Sequence, residues 1–379
     1  MPWKEFSVKA QREELVQLMN QDGANVAQLC RRFEISRKTA YKWRLRAAEE
    51  DPDWALDRSR RPHHCPHKTP DEMEEQVLEV RQSHSVWGGR KICRALKNQR
   101  LDGVPAPSTI TRVLHRHQKI ADAESEMRLA LQRFERPHPN DLWQMDFKGP
   151  LKTATGPCHP LSVLDDCSRY ALCVDACPNQ REESVRPVLA NTFRRYGLPL
   201  SMLMDNGACW GAAQSFYTHF GAWLIRLGIT LLHGRPYHPQ TQGKVERFHR
   251  TLGLEALCGQ NFRDLTHCQR RFDQFRHCYN HQRPHEALDL QPPISRYRPS
   301  PLEFPEELPP LEYPQARFIR KVGPAGYLSL QKHRFQVGRA FSGQHVGLFS
   351  TLEEDLFEVY FAHQRVARVN LKEDTCCIC

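Results

Sequence analysis

The chain has 379 residues, 26% charged and 40% hydrophobic, a balance that suits folded domains rather than a disordered chain. Its length predicts two to four domains, no apolar run reaches the ~18 residues of a membrane span, and Met1–Glu5 opens no signal peptide. A formal charge of +10, from 54 Lys and Arg against 44 Asp and Glu, favours a polyanionic partner, and the chain is expected to be cytoplasmic.

Residues 1–118 read as helical and basic. A helix is predicted over Val8–Gln21 and stopped by Asp22-Gly23; a short one follows over Asn25–Phe33. After the turn Glu34-Ile35-Ser36, with Ser36 as N-cap, comes Arg37–Arg46. Ala27, Leu29 or Cys30, Ile35, Ala40 and Trp43 make a small core and leave Arg37, Lys38, Lys42, Arg44 and Arg46 outside. That is a helix–turn–helix whose second helix suits a DNA major groove, the alternative being three helices with a solvated basic face. The pattern repeats over 57–118, with helices at Pro70, at Trp87–Leu96 and, capped by Ser108, at Pro107–His115. Between the two modules, Arg58, Arg60 and Arg61 either cross a minor groove or form a solvated linker. His63, His64, Cys65 and His67 lack the matching second pair of a zinc site. The 14 cysteines read as reduced thiols, mostly core, and Cys376, Cys377 and Cys379 as a frayed end.

A charged linker helix over 119–140 leads to the core at 141–300. Strands are predicted over Leu142–Phe147, Leu161–Leu164 and Tyr170–Val174, then a helix over Glu182–Tyr196 and a strand over Leu200–Met204. A helix over Ala213–Leu227, a strand over Ile229–Leu232 and a long helix over Pro239–Leu257 complete the order β-β-β-α-β-α-β-α, a mixed α/β sheet with helices on its faces. Asp146 lies in the first strand, Asp205 just past the fourth, and Glu246 early in the last helix. Hard carboxylate oxygens of this kind suit Mg²⁺, and two such ions can serve both oxygens of a phosphodiester displacement. Lys244 and Arg250 share the helix with Glu246 and are candidates for DNA phosphates or a solvated face. Asp165 and Asp166 read as turn residues, with one of them alternatively near the site, Asn206 as an Asx-turn or ligand-orienting residue, and His233 and His238 as loop and substrate-positioning residues, the alternative being proton transfer. A Pro-rich hinge, Pro292 to Pro310, precedes Gly-punctuated strand patterns over 312–372, which predict a small antiparallel β-barrel.

The run Trp143-x-x-Asp146, Asp205-Asn206-Gly207 and His238-Pro239-Gln240-Thr241-Gln242-Gly243-Lys244-Val245-Glu246-Arg247-Phe248-His249-Arg250 resembles the core of DDE transposases of bacterial insertion sequences, related to retroviral integrases. Tyr279-Asn280-x-x-Arg283-Pro284-His285 is similar to the same family. The stretch between Asp205 and Glu246 is a few residues longer than usual in the family, which places an insertion in a loop. The resemblance implies a ribonuclease-H-like core with Asp146, Asp205 and Glu246 as catalytic, metal-binding triad, Mg²⁺ with Mn²⁺ as substitute, and a multimer on DNA. It implies binding of terminal inverted repeats, end cleavage and strand transfer. The alternatives are a regulator that keeps only DNA binding, and a nuclease acting on RNA–DNA hybrids.

Overall fold

The computed structural model describes residues 7–49, 51–58, 68–120, 135–204, 217–233 and 243–378. The chain forms two compact units, Met1–Lys68 and Thr69–Cys379.

In the first unit, α1 (Val8–Met19), α2 (Val26–Arg32) and α3 (Arg37–Ala47) are each started by a short polar side chain. Ser7, Asn25 and Ser36 accept the free N–H groups of Ala10, of Ala27 and Gln28, and of Thr39. Leu15, Met19, Cys30 and Ala40 form the core. Trp43 closes it under the Arg12 guanidinium, which lies 4.0 Å from the ring centroid.

The second unit opens with α4 (Asp71–Ser83), α5 (Gly89–Asn98) and α6 (Pro107–Arg116) around Val77, Trp87, Ile92, Leu96, Ile110 and Leu114. α6 begins at Pro107 after Ala106, with no side-chain cap, so Ser108 lies inside the helix. Proline at the first position has no N–H to satisfy. The buried Glu74 of α4 receives Arg116 and His117, tying α4 to the end of α6.

A six-stranded sheet follows: β1 (Trp143–Phe147), β2 (Leu151–Thr153), β3 (Gly156–Asp165), β4 (Ala171–Cys177), β5 (Ser201–Met204) and β6 (Thr230–His233). β3 lies antiparallel between β4 and β1 and carries β2 along its first residues; β5 runs parallel to β1, and β6 parallel to β5. α7 (Glu182–Tyr196) and α8 (His219–Arg226) pack on one face through Val185, Leu189, Phe193, Phe220 and Leu224. α9 (Gly243–Leu252), continued by a π-turn over Gly253–Leu257, and α10 (Leu265–His281) cover the other through Phe248, Leu252, Phe272 and Phe275. The Pro-rich segment after α10 is packed in place: Tyr297 stacks on Tyr170 at 4.2 Å, and Ser300 N–H bonds the Tyr196 carbonyl.

The C-terminal strands are β7 (Phe318–Lys321), β8 (Tyr327–Leu330), β9 (His333–Gln336), β10 (His345–Ser350), β11 (Leu356–Phe361), β12 (Gln364–Asn370) and β13 (Thr375–Ile378). They do not close into the expected barrel. β13-β12-β11-β10-β7 is an open antiparallel sheet whose end strands do not meet, and β8-β9 is a separate hairpin. The reason is local. Gly326, at φ +84°, accepts Val337 N–H and Gly338 N–H, which extends the β8-β9 pairing within the hairpin itself. Leu328, Leu330 and Phe335 of the hairpin then share one apolar cluster with Val346, Leu348, Val359 and Phe361 of the sheet. That covers one sheet face without the continuous ladder that closure demands. Cys376 and Cys377 are not frayed, since Thr375–Ile378 pairs with β12, while Cys379 lies outside the described residues.

Candidate active site

The alternation of β1 decides what each of its residues faces. Trp143 and Met145 are fully buried in the cluster under α7 and α8. Gln144 and Asp146 therefore project to the opposite face, where α9 and α10 lie. Asp146 is paired in register with Ser162 of β3, and Gln144 lies beside Leu203 of the parallel β5. Asp146 thus reaches the end of the sheet at which β5 stops, at Met204. Asp205, next in sequence, lies outside the described residues, as do Asn206, Gly207 and the 234–242 part of the motif that contains His238.

α9 presents Val245, Phe248, His249 and Leu252 to the core and leaves Glu246, Arg247 and Arg250 exposed. His249 Nδ1 stands 3.7 Å from Asp146 Oδ2, and the Asp146 side chain remains 21% exposed. Burial, then the nearby Lys148, pushes the His249 pKa down to about 4. The imidazole is therefore neutral near pH 7 and does not cancel the Asp146 charge. Its Nε2 is buried without a hydrogen-bond partner.

Lys244, expected at a DNA phosphate, is directed inward: its ammonium donates to Asp166, whose side chain is wholly buried. Asp166 also accepts Gln144 Nε2 and Arg136 N–H, each at 2.8 Å. Asp165 beside it is equally buried and accepts Asn140 N–H at 2.7 Å, Ser168 N–H at 2.7 Å and the Ser168 hydroxyl. Burial still raises the Asp165 pKa, against those bonds. The two aspartates are thus turn residues, as the sequence suggested, and also buried anchors under the site. The signal that was available is their position at the end of the mostly apolar stretch Leu161–Leu164 of β3.

The second motif has a bracing geometry. Asn280 of α10 accepts Ala171 N–H and donates to the Ala171 carbonyl, at 2.8 and 2.9 Å, so it pairs with β4 as a strand would. Arg283 pairs with Glu255 at 2.9 Å, both nearly buried. His285 accepts Ala287 N–H, and burial with its arginine neighbours lowers its pKa to about 3.

No group of three or more potential metal ligands gathers among the described residues. The described donors that fit a hard cation are the carboxylates of Asp146 and Glu246. His63, His64, Cys65 and His67 lie outside the described residues, as do Arg60 and Arg61, whereas Arg58 pairs with Glu49. The described cysteines are free thiols.

On α3, Arg37, Lys38, Lys42 and Arg44 are exposed, while Arg46 is half-buried over Trp43 at 4.9 Å. Tyr41 and Leu45 stand out among them, 48% and 71% exposed. Sequence reasoning passed over both, because exposed apolar side chains on a recognition helix show themselves only once the core is known. No described helix is long and apolar enough to cross a membrane.

Residues 136–239 and 227–293 each match a family model described as an integrase core domain. Residues 11–63 match a helix-turn-helix domain, 39–114 a homeodomain-like domain, and 317–376 the C-terminal domain of the IS481 family transposases. The chain is similar to the Pro-Pol polyprotein of simian foamy virus type 3 (strain LK3), with 32% identity over 114 residues, 30% of this chain and 9% of the polyprotein. It is similar also to the insertion element IS476 uncharacterized 39.2 kDa protein of Xanthomonas euvesicatoria, with 23% identity over 240 residues, 61% of this chain and 66% of that protein. It spans less than a tenth of the foamy-virus polyproteins it matches. Among solved structures, the HTLV-2 integrase catalytic core domain in complex with magnesium (trimeric form) matches 43% of this chain and 99% of its own, at 14% identity and TM-score 0.33.

Proposed function

We propose that this chain, an integrase core fused to helix–turn–helix domains and to the C-terminal domain of the IS481 transposase family, is an insertion-sequence transposase. It binds the terminal inverted repeats of its element, cleaves the ends and joins the 3′-hydroxyls to target DNA. The observation that carries this reading is the placement of Asp146 on the sheet face beneath α9, the helix that bears Glu246.

Asp146, Asp205 and Glu246 would hold the divalent ions, Mg²⁺ or Mn²⁺, two of them on this reading. The donor set fits: the carboxylates are hard, Glu246 is exposed, and the imidazole facing Asp146 is neutral rather than a competing cation. When bound, such ions supply activation of the attacking oxygen and neutralisation of the leaving one. The chain's own part is placement. β1 and β5 are rigid neighbours in one sheet, and α9 is fixed over them by Phe248 and Leu252. Arg250 is exposed one turn beyond Glu246 and is suited to a phosphate of the bound strand. Arg37, Lys38, Lys42 and Arg44 suit the backbone of the end sequence, with Tyr41 and Leu45 for apolar contact in the groove and Arg46 bracing Trp43. Two ends must meet, so a homo-multimer on DNA is part of the proposal, as is a location with bacterial cytoplasmic DNA. In this reading 1–56 and 57–118 recognise DNA, 119–140 links them to the catalytic core at 141–300, and 312–372 is a further domain.

The test mixes purified protein, a labelled duplex from the flanks of its own gene, a plasmid target and Mg²⁺ or Mn²⁺, with Asp205→Asn alongside. Joined product from the wild type alone is expected. Specific binding without cleavage in either metal points to a regulator, and equal product from Asp205→Asn removes the triad.

A further inference from the structure

A second charged constellation lies away from the carboxylates, where α5 meets the elements around α9. Arg90, in the first turn of α5, donates to Glu286 Oε1 at 3.1 Å, and the other oxygen of Glu286 lies 3.6 Å from Arg247 of α9. Glu286 therefore bridges the second helical module to the helix of Glu246. Behind it, Arg283 is held by Glu255. Lys91 follows Arg90 and is half-buried in the same place, within the fields of Arg283, Arg247, Glu255 and Glu286. It forms no ion pair with any described carboxylate. Four cations, Arg90, Lys91, Arg247 and Arg283, thus stand against two carboxylates, Glu255 and Glu286.

Such an excess of cations over carboxylates raises the local positive potential. Burial, followed by repulsion from Arg283, brings the Lys91 pKa down to about 8. The two carboxylates are already shared among three arginines. A half-buried ammonium beside guanidinium groups is relieved by one more anion, and neither Arg90 nor Arg247 is sealed from solvent, at 68% and 73% exposure. Among anions, a phosphate matches best: it accepts from several donors at once, and forked Arg90 and Arg247 with a point-charge lysine are phosphate-binding groups.

We propose that Lys91, Arg90 and Arg247 form a seat for one backbone phosphate of duplex DNA at the junction of α5 and α9. The inference rests on the reading of the chain as a DNA-acting protein. It adds the point at which DNA leaving the second helical module is handed to the helix of Glu246. Arg247 is the next residue after Glu246, so a strand held here is brought alongside that carboxylate.

The test measures affinity of the full chain for a labelled duplex by fluorescence anisotropy, without divalent metal, across a series of KCl concentrations. Lys91→Met and Lys91→Arg are compared with the wild type, and their thermal midpoints are recorded without DNA. For Lys91→Met, the slope of log affinity against log salt falls by about 0.9, the loss of one phosphate contact. Its midpoint without DNA stays level or rises, because an unpaired charge has been removed. Lys91→Arg keeps the slope. An unchanged slope for Lys91→Met overturns the seat, and so does a lower midpoint that alone accounts for weaker binding. A parallel arm adds inorganic phosphate at constant ionic strength. Phosphate stabilisation of the wild type but not of Lys91→Met, with no change of slope, assigns the site to free phosphate and overturns the DNA assignment. Because no step requires cleavage, an inactive wild type would sink the transposase reading and leave this comparison intact.

Discussion

The inward Lys244–Asp166 pair gives the sharpest test of how the candidate site is held. Asp166 is wholly buried, and the Lys244 side chain is 16% exposed. Asp166→Asn removes the carboxylate that the Lys244 ammonium contacts, leaving only the field of Glu135, and removes an acceptor shared with Gln144 and the backbone of Arg136. Breaking one partner of a buried pair costs roughly 3–5 kcal/mol. The residual exposure of Lys244 lets water reach it in part, which sets the expectation at the lower end, about 3 kcal/mol. Lys244→Met should cost somewhat less, since the carboxylate keeps its other two donors. Because the variants remove the same interaction, the double variant should fall short of the sum by about 1–3 kcal/mol. Urea midpoints of the full chain, followed by Trp fluorescence, read these losses. Anisotropy with duplex DNA separates the two roles of Lys244. As a brace, Lys244→Met leaves the salt slope unchanged; as a phosphate contact, it flattens the slope by about one. Wild-type urea midpoints for both single variants, or a flattened slope for Lys244→Met, would refute the brace.

His285 is neutral in the fold because its pKa lies near 3, below its ordinary 6.5. Its stabilising contribution is present above pH 6.5 and is lost as pH falls through that window, about 2 kcal/mol by pH 5. Urea midpoints between pH 7 and pH 5 should therefore fall more steeply for the wild type than for His285→Gln, and equal slopes would remove His285 as the cause. Gly197 sits at φ +77°, and a Cβ there would lie 2.6 Å from the Ser300 carbonyl oxygen and 2.8 Å from that of Leu302. Gly197→Ala is expected to cost more than about 2 kcal/mol, because backbone atoms cannot turn aside; a change under about 0.5 kcal/mol in the urea midpoint contradicts that. Gln364 accepts Leu231 N–H at 2.9 Å and donates to its carbonyl at 3.4 Å, covering the outer edge of β6. Gln364→Leu leaves that edge unpaired, at about 1–3 kcal/mol, read as faster hydrogen exchange at Leu231 than in the wild type. Unchanged exchange there argues against the cap.

What the sequence disclosed depended on the range of the interaction. Caps are local, so Ser36 and the starts of α2 and α3 were readable from a few residues. The β1 and β5 strands and α7 showed themselves by apolar runs and a terminating glycine, and Asp146 and Glu246 by the motifs around them. The open C-terminal sheet was not readable, because strands that alternate and turn in the same way can close or remain open. Here β8 and β9 pair with each other and not with the five-stranded sheet, which stays open. The turn at Asp165 and Asp166 was readable, but their burial was not, for a related reason. Two acids in a turn look solvated until residues distant in sequence, Asn140, Gln144 and Lys244, are brought onto them.

These buried contacts also bear on how freely Glu246 can move. α9 is held from beneath by Phe248 and Leu252 in the core, at its start by Lys244 on Asp166, and on its outer side by Arg247 near Glu286. Its far end runs into the π-turn, where Arg271 of α10 bonds the Glu255 carbonyl at 2.9 Å. A helix fixed on several sides cannot swing as a body without breaking a buried ion pair. Adjustment at Glu246 therefore resides in its own exposed side chain, and in whatever DNA does at Arg247 and Arg250 beside it. Loosening the Asp166 anchor should accordingly disturb the chemistry of the core while leaving the basic face of α3, in a separate compact unit, as it was.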